Sequence, residues 1–404
     1  TPCPSRRRSS VLSSLAPASG PTQLGGVARS FGILSTFPPT ESGIATFSAA
    51  LAAGVIANGG TVDVVRCGAT PPLEDVSVAG TLATDDSRGL PAPLDVLNAT
   101  DVAIIQHEYG LYGGHDGAEI LDTMAGIVVP TIVVAHTVLS TPTPNQRYVL
   151  EQACERADAV VVMTETARTR LTTCFEVARS KVVVIPHGAA TPPALAPRAE
   201  PGPTERGPRV LTWGLLGPGK GIEWAIDAMA DLADLRPLPH YIIAGATHPK
   251  VLAHSGQSYR QMLVRRATSS AATAYVSFDD TYRDLASLTD LIRSADLVVL
   301  PYDSTDQVTS GVLVDAVAAG RPVVSTAFPH AVELLESGAG LVVPQRDSAA
   351  LAAAIRSVLT NPDLAASMAA EARRLAPDLS WTAVAGRYDE LARHLLAGRQ
   401  PVRP

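Results

Sequence analysis

The sequence predicts an α/β protein made of two doubly wound Rossmann-like domains facing a cleft. Three observations carry that reading. From Arg29 onward short β-branched runs alternate with Ala- and Leu-rich stretches, a proline-rich interruption falls near the middle, and the same alternation then starts afresh. Buried parallel strands read as continuous apolar runs, and their alternation with helices implies right-handed βαβ units. At 404 residues the chain is also too long for one ordinary core.

Taken in order, residues 1–26 hold Arg6, Arg7 and Arg8, many Ser and Pro, and no acid. Val11–Leu15 is too short and too broken by serine for a targeting segment, so a disordered tail is expected. Over 27–190 the strands are expected at Ser30–Leu34, Val62–Arg66, Val102–Gln106, Thr131–His136, Ala159–Met163 and Val182–Ile185. Helix-like segments such as Gly43–Ala57 and Gln146–Arg156 lie between them. Residues 191–208 carry Pro192, Pro193, Pro197, Pro201, Pro203 and Pro208, a composition that reads as an interdomain linker.

Over 209–375 the strands restart at Val210–Trp213, Tyr241–Ala244, Ala274–Phe278, Leu297–Leu300, Pro322–Thr326 and Leu341–Val343. Ligands of such domains bind beyond the carboxyl ends of the strands. Residues 376–396 end in a helical pattern (Val384, Tyr388, Leu391, Leu395) expected to cross back onto the first domain, with 397–404 as a tail.

Composition excludes several classes. Charged residues are 18% of the chain and hydrophobic ones 46%, as in a globular protein, and no apolar run reaches the roughly 20 residues that span a bilayer. A net charge of −7 leaves no basic footprint for nucleic acid. Cys3, Cys67, Cys154 and Cys174 are scattered, without a CxxC pair or ligand spacing. They read as reduced thiols of a cytoplasmic protein with no metal site, although sequence leaves a disulfide between two of them open.

Two segments of the second half carry chemistry. In LVVLPYDSTDQVTSGVLVDAVAAGRPVVST (297–326) a buried strand ends at Pro301, and Ser310-Gly311 opens a helix that closes at Gly320. The free N–H groups of Gly311, Val312 and Leu313, with the helix dipole, favour an anion such as phosphate. Asp315 follows about a turn and a half along, where a carboxylate can accept from a ribose diol. The plainer reading is an ordinary helix start with Asp315 on a solvated face. In LTWGLLGPGKGIEWAIDAM (211–229) a strand runs into a turn with Gly214, Gly217, Gly219 and Gly221 around Lys220. It is neither a Walker loop nor GxGxxG. A lone lysine in a turn is usually solvated; this one follows the carboxyl end of a strand.

The first half offers histidines at strand ends. QHEYGLYGG (106–114) places His107 and Glu108 at the cleft edge, and Leu111 excludes HExxH. His136 closes the next strand, in VVAHTVLSTPTP. His330, in STAFPHAVELL, either contacts the cleft or caps the helix beside it.

These pieces together resemble a retaining glycosyltransferase of family 4, whose two-Rossmann architecture is called the B-type (GT-B) fold. The likeness is carried by the glycine turn with Lys220, by ADLVVLPY, by SGVLVDAVAAGRPVVST and by ELLESGAGLVVP in the second half. In the first half IPHG (Ile185 to Gly188) and SFGILSTFPPTESGIATF match, so the likeness covers most of residues 30–396.

The resemblance implies a hexosyl transfer from a nucleoside-diphosphate sugar to an acceptor hydroxyl, with no metal and no cofactor. It assigns the donor diphosphate to Lys220 and the N–H groups from Ser310 to Leu313, and the ribose to Asp315. It places Gly43 beneath the diphosphate, and His136 and Gln307 against the transferred sugar, with His136, Lys220 and Gln307 as the catalytic set. His107, Glu108, His248 and His330 are further substrate contacts, with Arg260 as another candidate.

The family's glutamate pair has become Gln307 and Asp315, and Gln307 cannot serve as a base or nucleophile. The arginine that accompanies the lysine turn is absent, its place held by Leu215 or Leu216. The alternatives are a sugar-nucleotide epimerase or hydrolase, for which His107 with Glu108 is the motive, and a non-catalytic nucleotide-sugar binder. Between Val27 and Ala190 there are 9 Lys/Arg against 17 Asp/Glu, a net of −8. That suits a soluble saccharide or other hydroxyl acceptor better than an anionic membrane, with membrane docking the lesser alternative.

Overall fold

The computed structural model describes residues 28–68, 80–82, 93–190, 207–269, 274–281, 283 and 285–399. Two compact units divide them. The first takes the chain up to Val161, then Arg168–Val183 and everything from Tyr388; the second takes Val162–Ala167 and Val184–Arg387. The tail expected over 1–26, most of the linker expected over 191–208, Cys3 and residues 400–404 lie outside the described residues.

The chain opens with β1 (Ser30–Ser35), α1 (Gly43–Ala57), β2 (Thr61–Cys67), β3 (Gly80–Leu82) and α2 (Pro93–Asn98). Next come β4 (Val102–His107), α3 (Ile120–Ala125), β5 (Thr131–Ala135) and α4 (Pro144–Arg156). β6 (Ala159–Val162), α5 (Glu165–Cys174) and β7 (Val182–Val184) complete this stretch. The seven strands form one sheet in the order β3-β2-β1-β4-β5-β6-β7, and the pairs from β3 to β6 are parallel.

Every residue of β4, β5 and β6 is buried, which is why these strands read as unbroken apolar runs. Helix starts follow local chemistry. Ser42 Oγ accepts the Ala45 N–H at the head of α1. Thr143 and Gln146 form a reciprocal capping box ahead of Pro144. The strand order reverses between β1 and β4, and the carboxyl ends there open the ligand crevice of a doubly wound sheet.

The second stretch holds β8 (Arg209–Trp213), α6 (Ile222–Ala230), β9 (His240–Ala244), α7 (Pro249–Ser255), α8 (Ser258–Thr268) and β10 (Val276–Asp279). It continues through α9 (Leu285–Ser294), β11 (Leu297–Leu300), α10 (Gly311–Ala318), β12 (Val323–Thr326) and α11 (Pro329–Leu335). β13 (Gly340–Val343), α12 (Ser348–Thr360), α13 (Pro362–Leu375) and α14 (Trp381–Arg399) close the chain. Its six strands are all parallel, in the order β10-β9-β8-β11-β12-β13, with the reversal between β8 and β11. One core layer packs α6, α8 and α12 on the sheet, and the other packs α10, α11 and α13.

Three features depart from the sequence reading. The three-residue strand β3 is too short to leave a pattern. α14 runs to Arg399, and its part from Tyr388 belongs to the first unit, where Asp389 pairs with Arg29 just ahead of β1 (2.6 Å from Arg29 Nη2). Cys174 is disulfide-bonded, which corrects the expectation of reduced thiols throughout, while Cys67 and Cys154 are free and buried. Among the described residues no helix is long and apolar enough to cross a membrane.

One contact sets the edge on which the second unit's crevice is built. After β9 the chain turns at Gly245 with φ +144°, and a Cβ there would stand 2.0 Å from the Gly214 carbonyl oxygen. Beyond this pinch the two loops stay paired: Leu216 N–H donates to Ala246 O and His248 N–H to Leu216 O, each at 2.8 Å. Gly245→Ala is therefore expected to lower stability by about 3 kcal/mol or more, read as a drop in the urea midpoint at constant slope.

Candidate functional site

The site in the second unit begins at α10. Ser310 has extended backbone, and its Oγ accepts the Leu313 N–H at 3.3 Å. The Ser310 N–H donates to Nδ1 of His330 at 2.8 Å. Of the N–H groups that the sequence assigned to an anion, those of Ser310 and Leu313 are thus already taken. Gly311 and Val312 keep theirs, at the positive end of the helix dipole. The correction has a simple cause: a serine that caps a helix uses up one of the donors it exposes.

His330 is buried and holds the loop before α10 at both ends. Its ring takes the Ser310 N–H, and its backbone N–H donates to Gln307 O at 3.4 Å. Burial, with the neighbouring His187 adding to it, pushes its pKa down to about 3. A neutral ring with a bare Nδ1 is what this bond requires. His330 does not cap α11; its Nδ1 positions the start of α10, and its Nε2–H is left as a donor.

His187 was passed over in the sequence, where it stands in IPHG. Its Nδ1 donates to Gly188 O at 2.5 Å, and its ring lies where a side chain on Gly311 would go, 2.9 Å from an ideal Cβ. Gly311 is thus fixed by the imidazole packed against it. The Trp381 ring sits 5.5 Å from that of His187. A histidine just past a strand was the only signal available.

The glycine turn adjoins the same helix start. A Cβ on Gly214 would lie 3.4 Å from Val312. Gly221 adopts φ +60°, and a Cβ there would meet the Pro301 carbonyl oxygen at 2.0 Å, so the residue after Lys220 has to be glycine. That is the physical reason the turn lacks a Walker ending. The Lys220 ammonium sits 4.3 Å from the centroid of Tyr302, a ring that also stacks on Phe328 at 4.9 Å. The stack holds the charge near the crevice without a carboxylate to neutralise it.

Asp315 lies one turn into α10. Burial alone raises its pKa to about 7, and no described residue gives its carboxylate a hydrogen bond. It is not the solvated face residue of the plainer reading. An unpaired, partly buried carboxylate is suited to accept from a pair of hydroxyls. The Gln307 amide nitrogen donates to Thr309 O in its own loop, which leaves Oε1 for a ligand.

Two other candidates do structural work. His248 Nδ1 accepts the Lys250 N–H at the head of α7 (3.1 Å), and Arg260 donates to Gly245 O at 2.8 Å. Both bonds tie down the loop after β9, and burial, Lys250 and Lys220 together hold the His248 pKa down, which puts this histidine beside the glycine turn.

In the first unit Gly43 opens α1 with nothing within 4 Å of where its Cβ would be. His136 packs edge-on against Phe47 (4.8 Å), and Gln106 Oε1 accepts from its Nε2 at 2.6 Å. His107 is not at a cleft edge. It is the last residue of β4, 1% exposed, with burial holding its pKa down at about 4. Alternation along the strand turns it into the core. Glu108 accepts from Tyr109 N (3.0 Å) and from the Thr137 hydroxyl, so it braces the residue after His136.

Comparisons with known proteins bear on the family and the fold. The model described as Glycosyltransferase Family 4 matches residues 42–191, and the one described as Glycosyl transferases group 1 matches residues 207–361. Glycogen synthase of Mycobacterium tuberculosis is 32% identical over 234 residues, 57% of this chain and 52% of the relative. D-inositol 3-phosphate glycosyltransferase of Kineococcus radiotolerans is 28% identical over 284 residues, 64% of this chain and 62% of the relative. The alignments thus span only about half to three-fifths of these relatives. Among solved structures, sucrose-phosphate synthase of Thermosynechococcus elongatus superposes with a TM-score of 0.72 at 20% identity, over 92% of this chain and all of that one. Anabaena HepE, solved in complex with UDP-glucose, gives 0.67 at 18% identity over 91% of this chain and all of that one. At such identities the likeness speaks for the fold.

The bare carboxylate of Asp315 has a consequence for stability. A pKa raised from 3.8 to about 7 means the fold prefers the protonated acid. Its contribution is full below about pH 4 and is lost as pH rises through 7. Asp315→Asn is expected to stabilise the protein by about 1–3 kcal/mol at pH 8 and to change little at pH 4. Denaturant melts at the two pH values check this, and equal effects at both would contradict it.

Proposed function

The chain belongs to glycosyltransferase family 4, and from that premise we propose a retaining transfer of a hexosyl group from a nucleoside-diphosphate sugar to an acceptor hydroxyl. One observation carries the reading. Two open N–H groups (Gly311, Val312), the unneutralised ammonium of Lys220 and the unpaired carboxylate of Asp315 surround one helix start at the switch point of the second sheet. Cationic groups followed by a carboxylate match a diphosphate followed by a ribose diol. HepE complexed with UDP-glucose and relatives named for sugar transfer support the same donor class.

In the reaction the bond from the anomeric carbon to the diphosphate oxygen breaks, and the acceptor oxygen bonds to the same face of that carbon. The acceptor's proton passes to the departing phosphate oxygen. Negative charge grows on the leaving group, where Lys220 and the Gly311 and Val312 N–H groups meet it, already oriented. Gln307 contributes a hydrogen bond to the sugar through Oε1 and no proton transfer. The scheme needs neither a side-chain base nor a metal ion. The epimerase and hydrolase alternative loses its footing, because His107 is buried and Glu108 is occupied.

A thermal-shift panel of GDP-, UDP- and ADP-sugars identifies the donor, since a ligand that binds only the folded state raises the melting temperature. With that donor, Lys220→Ala is expected to lose about 10²–10³-fold in kcat/KM. Transfer by Lys220→Ala at the wild-type rate would overturn the site, and donor binding without turnover across an acceptor panel would favour a mere binder. Chelation by EDTA is expected to leave the rate unchanged.

A further inference from the structure

The first sheet carries a second set of unpartnered groups that the donor site does not use. The register pairs Ser35 of β1 with Arg66 of β2 on one side, and Leu34 with Ile105 of β4 on the other, so Gln106 falls next to Ser35. Side chains alternate along strands, which puts Arg66, Ser35 and Gln106 on one face, about 5 Å from strand to strand. Ser48 of α1 donates to Ser35 Oγ at 2.7 Å, so this is the face that α1 covers. His136, bonded to Gln106, extends the row past the end of β5. The row crosses the sheet at its carboxyl edge, at the switch point.

Two members of the row are incompletely bonded. Arg66 is 2% exposed, and its Nε and Nη1 have no hydrogen-bond partner among the described residues. Gln106 is 0% exposed, and its Nε2 has none either. Among the described residues Cys67 is the one group whose charge acts on Arg66, and its buried thiol is pushed up to about 12. Arginine does not discharge to relieve burial, so an uncompensated cation stands at the edge of the sheet. A core arginine of ordinary structural use would be saturated by carbonyls or a carboxylate. Gly43 and Gly68 flank the row, and a Cβ on either would meet nothing within 4 Å. The first turn of α1 holds no acid.

We propose that Arg66 and Gln106 form an anion subsite that takes a phosphate or carboxylate borne by the acceptor. This rests on the transferase reading above, in which the donor's phosphates have their own site in the second unit. A guanidinium pairs with either anion through two parallel hydrogen bonds, and the Gln106 amide supplies a further donor two strands away.

Titration calorimetry on the full chain, with the donor site filled by nucleoside diphosphate, compares hexose monophosphates, hexuronates and the matching neutral hexoses. At least one anionic class is expected to bind tenfold or more tightly than its neutral counterpart, and which class does so identifies the anion. Arg66→Met should abolish that preference, keep nucleoside diphosphate affinity within twofold, and melt at a higher temperature than wild type without ligand. Gln106→Leu should weaken the preference about threefold or more. The proposal is overturned if wild type shows no preference, or if Arg66→Met retains it. It is equally overturned if Arg66→Met instead loses nucleoside diphosphate tenfold, which would give the anion to the donor. A preference lost in Arg66→Met, together with no transfer to any anionic acceptor, would keep the subsite and sink the transferase reading.

Discussion

The candidate site of the second unit depends on one backbone contact, that of Gly221 against the Pro301 carbonyl. Through it the turn after β8 leans on the loop after β11, the two strands between which the sheet order reverses. That brings Lys220 over Tyr302 and leaves the start of α10 beside Gly214. Any side chain at 221 would push the turn off the loop, and Lys220 would leave the ring that holds it. The parallel pinch between Gly245 and Gly214, with Arg260 on the Gly245 carbonyl, keeps the outer side of the turn from relaxing. A ligand site that must present charges in fixed positions gains from such over-determined backbone, because little reorganisation remains when the leaving group develops its charge.

The helix start shows how a fold rations its donors. Four N–H groups lie at the head of any α-helix, and here Ser310 and His330 consume two of the positions in reach of the crevice. The remaining pair, at Gly311 and Val312, is therefore oriented by the bonds its neighbours make. His330 can do this only while neutral, and burial together with His187 keeps it so.

The fold was largely legible because the parallel strands are buried on both faces. Runs such as VAIIQH and TIVVA admit few other readings, and Gly43–Ala57 is bounded by a capping serine and a glycine turn. Of the candidate site, motif and position gave the turn around Lys220 and the helix start at Ser310, though not which of its N–H groups stay open. The site was not legible where burial decides. His107 and His136 look equivalent in sequence, each at a strand end, yet one residue of register sends the first into the core and the second onto α1. His187, Tyr302 and Arg66 gave no usable signal, because their roles come from partners far off in sequence or from the lack of any.

Groups without partners are the common thread of both units. Most buried polar atoms in a folded chain find a hydrogen bond, and leaving one bare costs free energy that packing elsewhere must offset. Bare groups occur elsewhere too, at Trp224 and Tyr388 for example, but four of them concern ligand crevices. Asp315 and Lys220 lie at the switch point of one sheet, and Arg66 and Gln106 at the switch point of the other. Their signs differ along each crevice: cationic groups then a carboxylate on the second sheet, a guanidinium and an amide on the first. A sequence selected for stability alone would have replaced them with apolar residues of similar size, as buried ion pairs often can be. Their presence at the two places where a doubly wound sheet binds ligands is the pattern expected if each bare group finds its partner in a ligand.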